Sequence, residues 1–332
     1  MLAIYAVLDG FDFGVGIVHL LVARTDAERR ALLQSIGPVW DGNEVWLLAG
    51  GGTLFFAFPA AYAAGFSGFY LPLMIVLWLL ILRGAAVEFR NHITSPVWTP
   101  FWDVTFAASS ALLALFFGAA LGNVIRGVPI DAGGVFFLPL WTNFRIGPNA
   151  GVLDWFTITL GIASVAALMM HGALWVAMKT RGDLETRARR IASLAWAAVA
   201  LLTFALLIIV PLTLPHYSRR YAARPWGLVF PLVALAALAA VMPFSRNKRD
   251  GAAFLCSCTY ILTMLAAAAF GNYPYLLSAI GDPQGGLTIY NAAASSYGLR
   301  VGLVWFIPGV MLATGYFAFA YRHIMEKIDA RA

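Results

Sequence analysis

Long apolar stretches, broken by short polar or basic segments, run from one end of the chain to the other. A membrane-spanning helix needs about 20 mainly apolar residues. Nine such stretches can be drawn, at residues 1–23, 45–64, 68–86, 102–125, 152–177, 191–214, 226–244, 252–277 and 299–321. Only Gly65-Phe66-Ser67-Gly68 separates the second from the third, which predicts a tight turn and an antiparallel hairpin. Residues 24–35 predict a short surface helix, with Asp26 near its start and Arg29 and Arg30 after it. The longest connection, 126–151, holds Gly133-Gly134 and Pro148, residues suited to turns. No connection is large enough for a second soluble domain. The pattern therefore predicts an all-α, polytopic membrane protein, with residues 1–332 as a single transmembrane helical domain.

Composition strengthens this picture. Of the residues, 61% are hydrophobic and 11% charged, against roughly 25% charged in a soluble chain. The net charge of +6 does not point to nucleic acid, because the basic residues sit in short clusters between apolar runs. With the connection after the first span placed in the cytoplasm, that side collects sixteen of the 22 Lys and Arg residues. The opposite side holds Arg126, Arg145, Arg219, Arg220, Arg224 and Arg300. The positive-inside rule then puts the N-terminus outside and the C-terminus in the cytoplasm. The first apolar run lacks a basic leader and a small-residue cleavage site, so it reads as a retained helix. It is short upstream of Asp9, which predicts that part of the first span precedes residue 1.

Ionisable groups within a membrane are costly and mark function by default. In the first span Asp9 and Asp12 lie three residues apart, on one side of a helix that Gly16 and His19 continue. Gly10 and Gly14 form a small-xxx-small pair that lets another helix approach closely. These carboxylates serve interhelical hydrogen bonding, or Asp9 is exposed near the outer surface, or they move protons. A second cluster runs Gly37-Pro38-Val39-Trp40-Asp41-Gly42-Asn43-Glu44-Val45-Trp46, with Pro38 suited to a first helical position. Asp41 and Glu44 then fall where a helix dipole favours negative charge, or they act as carboxylates beside indoles that take up and release protons. Gly50-Gly51-Gly52 follows and permits close backbone approach. In the third cluster, Arg83, Glu88 and Arg90, the arginines either anchor the helix at the interface or pair with the acids as the charged mouth of a proton path.

Elsewhere the chemistry thins. His171, next to Met169-Met170, reads as a hydrogen-bonded core histidine rather than a haem ligand. Cys256 and Cys258, one residue apart in an apolar run, are packing residues and not a disulfide. No metal-ligand spacing, catalytic triad or c-type haem attachment sequence occurs.

Together, Asp9-Gly10-Phe11-Asp12-Phe13-Gly14-Val15-Gly16, the Gly37–Leu47 run, Gly50-Gly51-Gly52 with Phe58-Pro59 and Tyr62, and Arg83-Gly84 with Glu88-Phe89-Arg90 resemble subunit II of cytochrome bd-type quinol oxidases. The motifs concentrate in residues 9–90; beyond them the likeness rests on length, span number and weaker matches. The resemblance implies a bacterial inner-membrane terminal oxidase that couples quinol oxidation to reduction of oxygen to water. It implies a haem-bearing subunit I with two b haems and one d haem, small accessory single-helix subunits, surrounding lipid and a bound quinone. This chain is then an enzyme subunit that does not ligate haem or metal and is not catalytic alone. It also implies that Trp40 and Asp41 sit on a proton route toward subunit I, with Asp12 as a second intramembrane carboxylate. Trp46 then lines an oxygen path. Two other readings of the same residues are a stand-alone proton-coupled transporter and a purely structural assembly subunit. The transporter predicts broken helices at corresponding positions of two halves, which the sequence does not display.

Overall fold

The structure is a computed structural model that describes residues 1–131, 133–280, 285–323 and 326–328. Twelve α-helices and one short two-stranded sheet make up the described chain. The central helix is α1 (Leu2–Val22), which packs on α3 (Trp40–Ala57), α6 (Trp98–Arg126), α7 (Trp155–Lys179) and α11 (Asp250–Asn272). Around these lie α5 (Tyr70–Phe89), α8 (Gly182–Thr213), α10 (Val229–Arg246) and α12 (Ser296–His323). Among the described residues, eight helices are long and apolar enough to cross a membrane.

The expected second span accounts for the difference from nine. It consists of two helices, α3 and α4 (Pro59–Gly68), which part at Phe58. Pro59 takes the first turn of α4, where its missing N–H costs nothing, but it cannot continue α3. The 18 residues of α3 include Asp41, Asn43, Glu44 and four glycines, and α3 is not one of the eight. Gly65-Phe66-Ser67-Gly68 is helical rather than a turn; only Phe69 separates α4 from α5. Gly68 is required for another reason, since a Cβ there would lie 2.2 Å from the ring of Phe136. Nor does Pro38 begin a helix: Val39 caps α3, and Gly37-Pro38 belongs to the turn after α2 (Asp26–Ile36). As expected, α2 is a short surface helix. A reciprocal capping box starts it, with Thr25 Oγ1 accepting from Glu28 N while Glu28 accepts from Thr25 N.

Lipid offers no hydrophobic drive for one helix to seek another, so close packing through small residues holds membrane bundles together. A Cβ on Gly14 would lie 2.1 Å from the Leu168 carbonyl oxygen, and one on Gly172 would lie 2.1 Å from the Gly14 carbonyl carbon. Backbone therefore meets backbone where α1 crosses α7. Gly10 approaches the same helix less closely, 3.0 Å from Leu168 Cδ2. Of the Gly50–Gly52 run, only Gly50 faces a neighbour, Leu2, while Gly51 and Gly52 face open space.

At the end of the bundle where α6 stops, β1 (Tyr275–Ser278) pairs antiparallel with β2 (Gly286–Thr288). The expected eighth span therefore ends at Asn272, short of Leu277. The short helix α9 (Pro215–Ala223) joins α8 to a 3-10 turn at Pro225–Leu228 that leads into α10. At the other extreme, α12 has no buried residue along its described length.

Candidate functional site

One turn of α1 builds the site. Asp9 faces α5, where Arg83 Nη1 donates to Asp9 Oδ1 at 2.6 Å and Nη2 to Oδ2 at 3.1 Å. This two-pronged geometry matches the guanidinium fork to the carboxylate. The acid and the arginine are 0% and 1% exposed. Glu44 of α3, half-buried, reaches the same guanidinium with Oε2 3.4 Å from Nη2. The Phe13 ring lies under the guanidinium at 4.4 Å, and Trp40 lies farther off at 6.0 Å.

Three residues along, Asp12 points into the same interior, within reach of the Asp9 and Arg83 charges. Asn43 Nδ2 donates to Asp12 Oδ2 at 2.8 Å and to the Leu8 carbonyl at 3.2 Å. Tyr321 of α12 donates to Asn43 Oδ1 at 2.8 Å. Asp12 Oδ1 has no partner among the described residues. The two carboxylates thus differ: Asp9 is neutralised by an ion pair, while Asp12 accepts a single amide hydrogen bond at Oδ2 and its Oδ1 has no hydrogen-bond partner among the described residues.

The remaining candidates divide. Asp41 is exposed in the first turn of α3 and accepts from the Gly42 N–H at 2.7 Å. It is therefore not the buried carboxylate beside indoles that the sequence suggested. Trp40 is half-buried. Trp46 is buried against Phe317 at 5.6 Å between ring centres.

The expected charged mouth of Arg83, Glu88 and Arg90 does not form as one group. Glu88 is exposed and forms no ion pair among the described residues. Arg90 belongs to a second cluster centred on Asp103 of α6. Asp103 accepts from Arg90 Nε at 2.6 Å, lies 2.6 Å from His19 Nε2, and accepts from Arg29 Nη1 at 2.9 Å. Arg90 also donates to Asp26 at 2.7 Å, so α2 is clamped to α5 and α6. Although Asp26 meets some desolvation penalty, the bond and charge of Arg90, with Arg30 adding to them, hold its carboxyl below the usual range. Burial likewise opposes ionisation of Glu28, yet the Arg24 N–H and Arg187 outweigh it and hold Glu28 low.

Asp103, Tyr321 and the buried Arg126–Asp154 pair lie outside the three clusters that the sequence pattern marks. An acid early in the fourth span, Asp103, carries the same intramembrane signal that marked Asp9.

Of the two buried histidines, His171 is fully engaged, whereas His19 keeps Nδ1 without a hydrogen-bond partner among the described residues. His171 has both ring nitrogens engaged, Nδ1 with Ser257 Oγ at 2.7 Å and Nε2 with the Val7 carbonyl at 3.0 Å, and it stacks on Phe254. His19 is turned to Asp103. Both cysteines are free thiols, and no group of three metal-ligating side chains occurs among the described residues.

Residues 1–324 match the family described as cytochrome bd terminal oxidase subunit II. The chain is 31% identical to the probable cytochrome oxidase subunit 2 of Haemophilus influenzae, over 98% of this chain and 92% of that one. It is 32% identical to the cytochrome bd-I ubiquinol oxidase subunit 2 of Escherichia coli K12, over 94% and 89%. It is also 32% identical to the cytochrome bd ubiquinol oxidase subunit 2 of Bacillus subtilis, over 89% and 83%. The fold matches a chain in the structure of bd oxidase from Geobacillus thermodenitrificans, with a TM-score of 0.72 and 21% identity over 96% and 93% of the two chains. The chain belongs to the family of subunit II of the cytochrome bd terminal oxidases.

Proposed function

We propose that this subunit scaffolds a haem-bearing subunit I in the bacterial inner membrane and carries protons toward it through α1, α3 and α5. The complex is a quinol:oxygen oxidoreductase. Its two b haems and one d haem are held by subunit I, quinol is oxidised near the outer face, and oxygen is reduced with cytoplasmic protons. The sixteen-to-six division of basic residues supports a cytoplasmic C-terminus and an external N-terminus. His171, with both ring nitrogens hydrogen-bonded, supports placing the iron outside this chain. A bound quinone and small accessory single-helix subunits complete the assembly in this reading. The unburied length of α12 and the cleft of about 740 Å3 lined by Thr53, Phe56, Gly302 and Trp305 offer surface for partners within the membrane.

The observation that carries the proton role is the contrast between the two acids of α1. Asp9 cannot change its charge without breaking a two-pronged ion pair. Asp12 can gain or lose a proton while Asn43 keeps its place, because its second oxygen is free. Exposed Asp41, half-buried Trp40 and Glu44 then form the entry, and Glu44, Arg83 and Asp9 lead from it to Asp12. Trp46, buried beside Phe317, lines an apolar way for oxygen.

Asp41→Asn and Asp12→Asn variants of the complex test the route. We expect haem content and visible spectrum to stay those of the parent while quinol oxidase turnover falls. Full turnover in both variants removes the route, and loss of assembly in both leaves these carboxylates a structural role.

A further inference from the structure

The connection from α8 to α10 is unusually basic. Arg219 and Arg220 lie on α9 and Arg224 just beyond it, and no Asp or Glu occurs anywhere from residue 191 to residue 249. None of the three forms an ion pair among the described residues. Arg220 is held by ring faces, its guanidinium carbon 4.6 Å from the centre of Tyr273 and 5.1 Å from that of Phe270. Its Nε is buried without a hydrogen-bond partner. Ring faces take up the charge but accept no hydrogen bond in the guanidinium plane. Arg220 Nε therefore awaits an acceptor.

Beside them lies a cavity of about 690 Å3, within the roughly 300–1,000 Å3 of small-ligand sites. Arg220 and Arg224 line it together with Trp226, Phe230 and Phe270, and the small Ala266 and Ala269 leave the room. The site lies where α11, a membrane-crossing helix, approaches its end at Asn272. It thus joins an apolar slot along a membrane-crossing helix to a cationic rim near that helix's end.

We propose that this cavity binds one anionic phospholipid, its phosphodiester on Arg220 and Arg224 and an acyl chain against Trp226, Phe230 and Phe270. A free phosphate gains nothing from the apolar walls. A zwitterionic headgroup brings an ammonium to a segment with no acid to receive it. The ligand is therefore an anionic lipid rather than either of these.

The test uses the intact oxidase complex, purified in detergent and stripped of lipid. Phosphatidylglycerol, phosphatidylcholine and inorganic phosphate are added separately, and bound molecules are counted by native mass spectrometry. The parent complex retains phosphatidylglycerol in preference to the other two. Each basic side chain contributes about fivefold at a membrane surface, so R220Q/R224Q weakens retention roughly 30-fold. A266W fills the slot, keeps both arginines and also loses the lipid. Should R220Q/R224Q fail to assemble, A266W decides alone. Equal uptake of phosphatidylcholine or phosphate overturns the proposal, as does unchanged phosphatidylglycerol retention in A266W. If R220Q/R224Q releases subunit I with lipid uptake unchanged, the cavity is a seat for the partner and the proposal fails.

Discussion

Replacing Arg83 by Gln removes the only cation paired with Asp9 among the described residues while leaving the carboxylate buried. The parent interaction has two nitrogen–oxygen contacts, at 2.6 Å and 3.1 Å, between groups 1% and 0% exposed. Removing one partner of such a buried pair costs roughly 3–5 kcal/mol, because the remaining charge is stranded. Replacing both partners by amides strands nothing, so D9N/R83Q recovers most of that loss. Glu44 complicates the cycle little, being solvated enough to lose Arg83 at small cost. The readout is the thermal inactivation rate of the haem-loaded complex in detergent, since large membrane assemblies unfold irreversibly and their stability is a rate. If half of about 3 kcal/mol appears in the unfolding barrier, R83Q inactivates roughly tenfold faster than the parent. D9N alone leaves Arg83 with only Glu44 and falls between R83Q and the double variant. If D9N/R83Q is as unstable as R83Q, or R83Q matches the parent, the stranded-charge reasoning is refuted.

Further predictions concern packing, pH and ligation. Gly14→Ala forces α1 away from Leu168 and Gly172 and costs about 1–3 kcal/mol, whereas Gly51→Ala and Gly52→Ala, facing open space, stay within about 0.5 kcal/mol; inactivation rates of the three complexes separate the two cases. The carboxyls of Asp26 and Glu28 titrate below their ordinary 3.8 and 4.5, so the stability they lend α2 is complete above those values. That stability is lost as pH falls through the lower folded-state values; the thermal midpoint drops on acidification below about pH 4, and R90Q flattens that drop. Thr25→Ala removes one half of the α2 capping box and costs about 1 kcal/mol, read as faster amide exchange over Asp26–Ile36. His171→Gln leaves the haem spectrum of whatever complex assembles unchanged, because His171 already spends both nitrogens on Ser257 and Val7.

The spans were legible because length and apolarity alone specify a helix that must satisfy its own backbone in lipid. Asp9, Asp12 and Arg83 were legible because intramembrane charge is rare. Their pairing was not. Arg83 in α5 and Arg90 at its C-cap are seven residues apart, about 10 Å along the helix axis. They look like one mouth until the partners are known. Those partners come from elsewhere in the chain, Asp9 for the first and Asp103 for the second. The break at Phe58 was written in Pro59, but hydropathy averaged over 20 residues passes across a single missing N–H. The helix α9 is too short and too basic to register as a span, though its arginines shape the cavity beneath it. Asp41 was placed in the first turn of α3, but not its exposure, which depends on what lies beside that turn.

The parting of α3 and α4 frees a carbonyl at Ala57, and Ala294, two residues before α12, takes it at 2.9 Å. At its far end α12 returns to α3 through Tyr321 and Asn43. The outermost helix is therefore a beam pinned at two hinges, about 42 Å long for its 28 residues. Between the pins none of its residues is buried in this chain. A load applied by a neighbour along that beam passes to α3 at the pins and through the Phe56–Gly302 and Trp46–Phe317 contacts between them, and one of the pins is the amide that holds Asp12.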